Sequence, residues 1–108
     1  MHVLIITFKL AGLTDADYRQ HAHALAPQFL QVPGLVSKTW LADEANNTYG
    51  GIYFFEDAAS LQGYLDSGVV AGMKANPAFI ELSLRPFGTV ESATAITAGP
   101  LVALGIPA

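Results

Sequence analysis

Few side chains in this 108-residue chain can do chemistry, and most of them are aromatic. Trp40 can stack on a flat ring and offer its indole N–H as a donor. Tyr49, Tyr53 and Tyr64 can line a pocket and donate from their hydroxyls, and Phe8 can share the same cavity. His21 is the acid/base candidate, because imidazole is the side chain whose ordinary pKa lies near neutrality. Arg85 sits in a mostly apolar stretch; it either binds an anionic or phenolate group or pairs with Glu81 or another carboxylate. Each of these residues also has a plain structural reading as core, interface or surface. A cavity shared by Trp40, two tyrosines and Phe8 is a stronger argument than any one of them alone.

Other chemistries lack support. There is no cysteine, which excludes disulfides, thiolate catalysis and cysteine-based zinc sites and fits a cytoplasmic protein. His21 and His23 are two apart on a helix and do not face each other, and no carboxylates fall at ligand spacing, so no metal is expected. No Ser-His-Asp set can be assigned. Gly50-Gly51 is not a phosphate loop, since no basic residue or helix start follows it; close backbone approach or a bulge is its expected role. A formal charge of −4 with five Lys+Arg argues against nucleic acid. No apolar run reaches the roughly 18 residues of a membrane span, and the apolar first ten residues lack the basic flank of a signal peptide.

The elements that must position these groups follow from periodicity. Residues 3–10 (VLIITFKL) read as a strand buried on both faces. Thr14 is a helix N-cap with Asp15 and Asp17 in the first turn, and the helix runs over about 15–31 with Tyr18, Ala22, Leu25 and Phe29 inward. Pro27 should kink or split it. Val32-Pro33-Gly34 stops it. Strands over 35–42 and 49–56 then form a hairpin about the polar turn 43–47. Asp57 caps a helix over 58–66, with Leu61, Tyr64 and Leu65 inward; 69–75 adds a short helical piece; and 79–90 is the last strand, with Pro86 at an edge or bulge.

The order β-α-β-β-α-β gives an α+β, ferredoxin-like fold with an antiparallel sheet and helices on one face. Its strands are apolar on both faces, and only 13% of residues are charged against an ordinary share of about 25%. Together these predict a homodimer packed sheet to sheet. Residues 1–91 form the ferredoxin-like domain. Residues 92–108 carry no charged side chain and are expected to be an extended apolar extension packed on the partner subunit.

Pro33-Gly34-Leu35, Lys38, Trp40, Gly50-Gly51-Ile52-Tyr53 and Phe55 resemble the YdhR-like monooxygenase family of the dimeric α/β-barrel superfamily, which also holds the antibiotic-biosynthesis monooxygenases. The resemblance implies a homodimer joined through its sheets. It also implies oxidation of aromatic rings by O₂ without metal, flavin or haem, by a set that includes an Asn and a Trp on one strand and a Tyr. Trp40 matches, and Tyr49 or Tyr53 can supply the phenol. Val36 stands where the Asn would, and Asn46 and Asn47 sit in the turn instead. The expected function is cofactor-independent monooxygenation of a small aromatic or phenolic compound, with catalytic residues His21, Trp40 and Tyr53 and substrate-binding residues Phe8, Tyr49, Tyr64 and Arg85. The alternatives are a non-catalytic dimer that binds a small hydrophobic ligand, and a purely structural dimer.

Overall fold

The computed structural model describes residues 1–98. The first strand, β1 (His2–Leu10), is the central one, and its alternation sets the layers. Leu4, Ile6, Phe8 and Leu10 are buried on one face, while Val3, Ile5 and Thr7 are half-buried on the other. β1 pairs antiparallel with β3 (Thr48–Phe55) on one side and β4 (Phe79–Gly88) on the other. β2 (Leu35–Asp43) pairs with the outer side of β3, giving the open order β2-β3-β1-β4 with β2 and β4 at the edges. This is the expected α+β ferredoxin-like arrangement. Pro86 lies opposite Leu4 on edge strand β4, where a missing N–H is tolerated.

Three helices cover the inner face. Thr14 caps α1 (Asp15–Leu25) by accepting from the Asp17 N–H at 3.1 Å, and Asp57 caps α2 (Ala58–Leu65) by accepting from the Ser60 N–H at 2.8 Å. Ser67 caps α3 (Gly68–Ala75) by accepting from the Val70 N–H. Pro27 splits the first helix as expected: its missing N–H falls at the start of a 3₁₀ segment, Ala26–Gln31. Tyr18 from α1, Leu61 and Tyr64 from α2 and Val70 from α3 complete the core over Leu4, Ile6, Tyr53 and Phe55.

Two irregularities decide which side chains meet. In β2 the register shifts between Leu35 and Ser37, so Leu35 faces Phe55 while Lys38 and Trp40 face Tyr53 and Gly51. In strict alternation Leu35 would oppose Trp40; the bulge puts both on the inner face. In β4 a second shift accompanies Glu81, whose φ is 51°, and returns Leu82 and Leu84 to the core side.

The extended conformation expected for residues 92–108 is corrected at its start. Residues Glu91–Thr97 form a short helix, α4, with Glu91 in the first turn accepting from the chain's N-terminal amine. Residues 99–108, and with them the expected packing of the extension on a partner, lie outside the described residues.

Gly50 has a φ of 155°, and a Cβ there would lie 1.8 Å from the Ile6 carbonyl oxygen. Gly63, on the exposed side of α2, has open space where a methyl group would stand, with nothing within 4 Å. Gly50→Ala should therefore cost at least about 2 kcal/mol, and Gly63→Ala should add roughly 0.5–1 kcal/mol. Urea unfolding of the two variants against the parent checks both signs.

Candidate active site

The bulge in β2 and the glycine pair in β3 together build an aromatic-lined cavity of about 170 Å³ between the sheet and α1, the 3₁₀ segment and α3. Phe8, Tyr18 and Tyr53 are buried at its floor. The exposed lining residues His21, from α1, and Val69, Gly72 and Asn76, from α3 and its cap, form the mouth. Phe29 stands edge-on to Trp40 at 5.3 Å between ring centroids and 85° between planes, and lies 6.2 Å from Tyr53. Such edge-to-face pairs add about 0.5–1.5 kcal/mol beyond area burial and hold the indole in one orientation. An apolar cavity of roughly 150 Å³ takes up benzene, so this space suits one ring rather than a fused polycycle.

The structure brings together His21, Trp40, Tyr53 and Phe8. It does not bring in the other three candidates. Tyr49 points inward further along β3, and its hydroxyl donates to the Asp15 carboxylate at 2.5 Å. That bond pushes the phenol up to about 12 and lowers the Asp15 carboxyl, which also accepts from Arg19. Tyr64 packs behind Tyr53 with its ring tilted, 5.2 Å between centroids, and faces a separate groove beside α2. The two phenols affect each other electrostatically, yet the buried Tyr64 hydroxyl makes no properly aligned hydrogen bond among the described residues. Arg85 lies opposite Ile5, on the sheet face away from the cavity; it is exposed and stacks near Phe87 rather than pairing with Glu81. The period of two assigns Arg85 to that face once Leu84 is committed to the core.

Burial raises the Tyr53 and Tyr18 phenols above their ordinary range, so both are neutral hydrogen-bond donors at any ordinary pH. The asparagines of the turn are occupied elsewhere. Asn47 clasps the Leu10 backbone through both ends of its amide, at 3.0 and 3.3 Å, and Asn46 donates to Asp43. Val36 falls at the bulge. The amide that does line the cavity is Asn76, whose side-chain carbonyl accepts from the Ala78 N–H. Among the described residues no group of three or more His, Asp or Glu side chains is placed to hold a metal ion.

Lys38 is the residue whose role sequence reasoning missed. Its Nζ lies 3.3 Å from the Trp40 centroid, 3.6 Å from Phe29 and 4.6 Å from Tyr53, inside the cavity wall. No carboxylate among the described residues pairs with it. Burial holds its amine down to about 7. Gly51 makes room for it: a Cβ there would sit 3.0 Å from the Lys38 Cε and 3.1 Å from the Tyr53 ring. The signal was present in the sequence, because two-residue spacing puts Lys38 on the same face as Trp40.

The fold and the cavity define a ferredoxin-like α+β protein with one ring-sized aromatic site between sheet and helices. The chain belongs to the family described as "Putative mono-oxygenase ydhR", whose model matches residues 3–100. No curated protein matches it in sequence. Among solved structures it is similar to a variant of SnoaB, a cofactor-independent oxygenase from Streptomyces nogalater (20% identity, TM-score 0.64, 82% of this chain and 92% of that one). It is also similar to the haem-degrader MhuD from Mycobacterium tuberculosis (18%, 0.64, 83% and 96%) and to NE2512, a protein of unknown function from Nitrosomonas europaea (17%, 0.68, 82% and 88%). At these identities the likeness establishes the fold.

The buried amine has a signature in stability. The folded state holds Lys38 near 7 against an ordinary 10.5, so between those values the unfolded chain binds more protons and stability rises with pH. Below that window the buried charge carries its full penalty. Lys38→Met should thus be more stable than the parent at low pH, with the advantage shrinking by up to about 1.4 kcal/mol per pH unit across the window. Paired urea titrations, one pH below the window and two within it, measure the difference.

Proposed function

We propose that the protein is a cofactor-independent oxygenase acting on a small single-ring phenolic compound. The observation that carries this is the convergence of Trp40, Tyr53, Phe8 and His21 on one ring-sized cavity in a chain of the ydhR family. SnoaB, which shares the fold, is described as a cofactor-independent oxygenase.

In this reading the ring lies between Trp40, Phe8 and Phe29. Tyr53 and Tyr18, neutral donors at the floor, hold the oxygen substituent. His21, exposed at the mouth, passes the phenolic proton to solvent. The phenolate delivers electron density to its ring carbon, which bonds to O₂. The peroxide anion so formed takes up a proton from solvent, and the hydroperoxide then loses water, its O–O bond and the hydrogen of that ring carbon going with it, to leave a ring carbonyl. One oxygen atom ends in the carbonyl and the other in water, with all the electrons supplied by the substrate.

We also propose that two chains pair through the helix-free sheet face, where Val3, Ile5, Ile52 and Phe54 are only half-buried and Phe87 is 43% exposed. No helix among the described residues is long and apolar enough to cross a membrane. The lack of cysteine supports a reducing compartment, the cytoplasm.

Oxygen-electrode assays with a panel of single-ring phenols and hydroquinones test the activity. Turnover should be seen with at least one, and Trp40→Ala should lower kcat/KM by about 100-fold through lost positioning. Ligand binding without O₂ uptake across the panel would instead make the cavity a carrier site. Sedimentation tests the assembly: the parent should run at the mass of two chains, and Ile5→Asp at the mass of one.

A further inference from the structure

The cavity contains one group whose presence the oxygenase reading leaves unexplained. Of the five Lys and Arg side chains, Lys9 donates to the Asn46 carbonyl, Arg19 pairs with Asp15, Lys74 is exposed in the last turn of α3, and Arg85 lies on the far sheet face. Lys38 alone among them lines the cavity. Its stem threads past Gly51, and its Nζ rests on the faces of Phe29, Trp40 and Tyr53. Rings attract an ammonium but cannot accept its protons as a carboxylate does. The groups that face it from the packed elements are Tyr53 on β3, Tyr18 and His21 on α1, and Asn76 after α3; none is a carboxylate.

We propose that Lys38 is the proton acceptor and anion receptor of this cavity: a single-ring phenol enters neutral, gives its hydroxyl proton to the Lys38 amine, and stays bound as a phenolate against the resulting ammonium. The inference rests on the cavity being a site for single-ring aromatics and names the chemistry of its ligand. The O–H bond breaks, an N–H bond forms, and the charge pair is created inside the protein without either ion having been stripped of water. This amine sits near 7, so a good part of it is unprotonated at neutral pH and able to accept. An ordinary phenol, near 10, is about three units less acidic than the ammonium, a factor of about 10³ against transfer. Contact between the two new charges, away from bulk water, works against that factor. Phenols made more acidic by electron-withdrawing substituents should therefore bind tightest. An aromatic carboxylate must shed water while already charged and brings two oxygens into a site with one cation, so it should bind less well.

The test uses 4-nitrophenol, whose phenolate is yellow, with 4-nitroanisole and 4-nitrobenzoate as comparison ligands, all under nitrogen. In buffer one pH unit below the free probe's pKa, the parent protein should raise the phenolate band and lower the bound probe's apparent pKa by at least one unit. Lys38→Met should bind 4-nitrophenol at least tenfold more weakly and leave it colourless, yet bind 4-nitroanisole as well as the parent does. Lys38→Arg, permanently charged, should restore the band but not the proton uptake: near pH 8 the parent should take up close to one proton from the buffer for each 4-nitrophenolate bound and Lys38→Arg none, and equal uptake by the two overturns the acceptor role. Equal phenolate fractions with parent and Lys38→Met overturn the proposal. So does tighter binding of 4-nitrobenzoate than of 4-nitrophenol. Because no O₂ is present, a phenolate band from a protein that never consumes O₂ defeats the oxygenase reading and leaves this one standing.

Discussion

The site depends on the pairing register of β2 against β3. A shift of one residue turns every side chain of a strand to the opposite face. Here the shift at Leu35/Ser37 is confined to the start of β2, so Leu35 still packs on the core while Lys38 and Trp40 remain inward beyond it. The register could not hold without Gly50 and Gly51. Gly50 lets β3 press against the Ile6 carbonyl, and Gly51 leaves open the volume that the Lys38 stem crosses. Two missing methyl groups and one extra residue thus place an indole, two phenols and an amine around one space.

Much of this was legible in the sequence, and the boundary is physical. Long periodic runs and caps marked the elements: the β-branched run of β1, Thr14 and Asp57 as caps, and Pro27 as the point where the first helix changes to 3₁₀. The inner stripe of Tyr18, Ala22 and Phe29 followed from helical spacing. What was not legible was whatever depends on local register. Alternation counted from Leu35 sets Leu35 against Trp40, and nothing in LVSKTW announces a bulge. Tyr64 is inward, as its helical position required, but it lies behind Tyr53 rather than beside the cavity. The composition of residues 92–98 read as apolar and extended; with Glu91 ahead of it and alanines at 93 and 95, the segment instead takes up nearly two turns of helix over Glu91–Thr97.

Family membership and chemistry part company at one amide. The resemblance implies an Asn near the Trp on one strand, and this chain has Val36 at the bulge. Its turn asparagines are structural: Asn47, with φ 47°, adopts the left-handed conformation and locks the turn to the end of β1 through two hydrogen bonds. An amide near the ring therefore has to come from Asn76 at the end of α3, on the opposite wall. The polar inventory facing the ring is thus rearranged relative to the pattern the resemblance implies, and Lys38 is the addition that changes its charge.

That addition is costly unless it serves a ligand. An amine in an aromatic wall loses water and gains only ring faces, worth up to about 2 kcal/mol when desolvated, and its lowered proton affinity is the measure of the shortfall. A leucine or methionine would fill the same volume without that penalty. Stability alone gives no reason to place Lys38 beside Trp40. In the proposed reading the reason lies in what enters the cavity: a ligand that supplies the missing negative charge and fits a space of about 170 Å³. A single ring with an ionisable oxygen meets both conditions. Under the proposal it also becomes an electron-rich anion on binding, which is the form in which an aromatic ring can give electrons to O₂ without help from a cofactor.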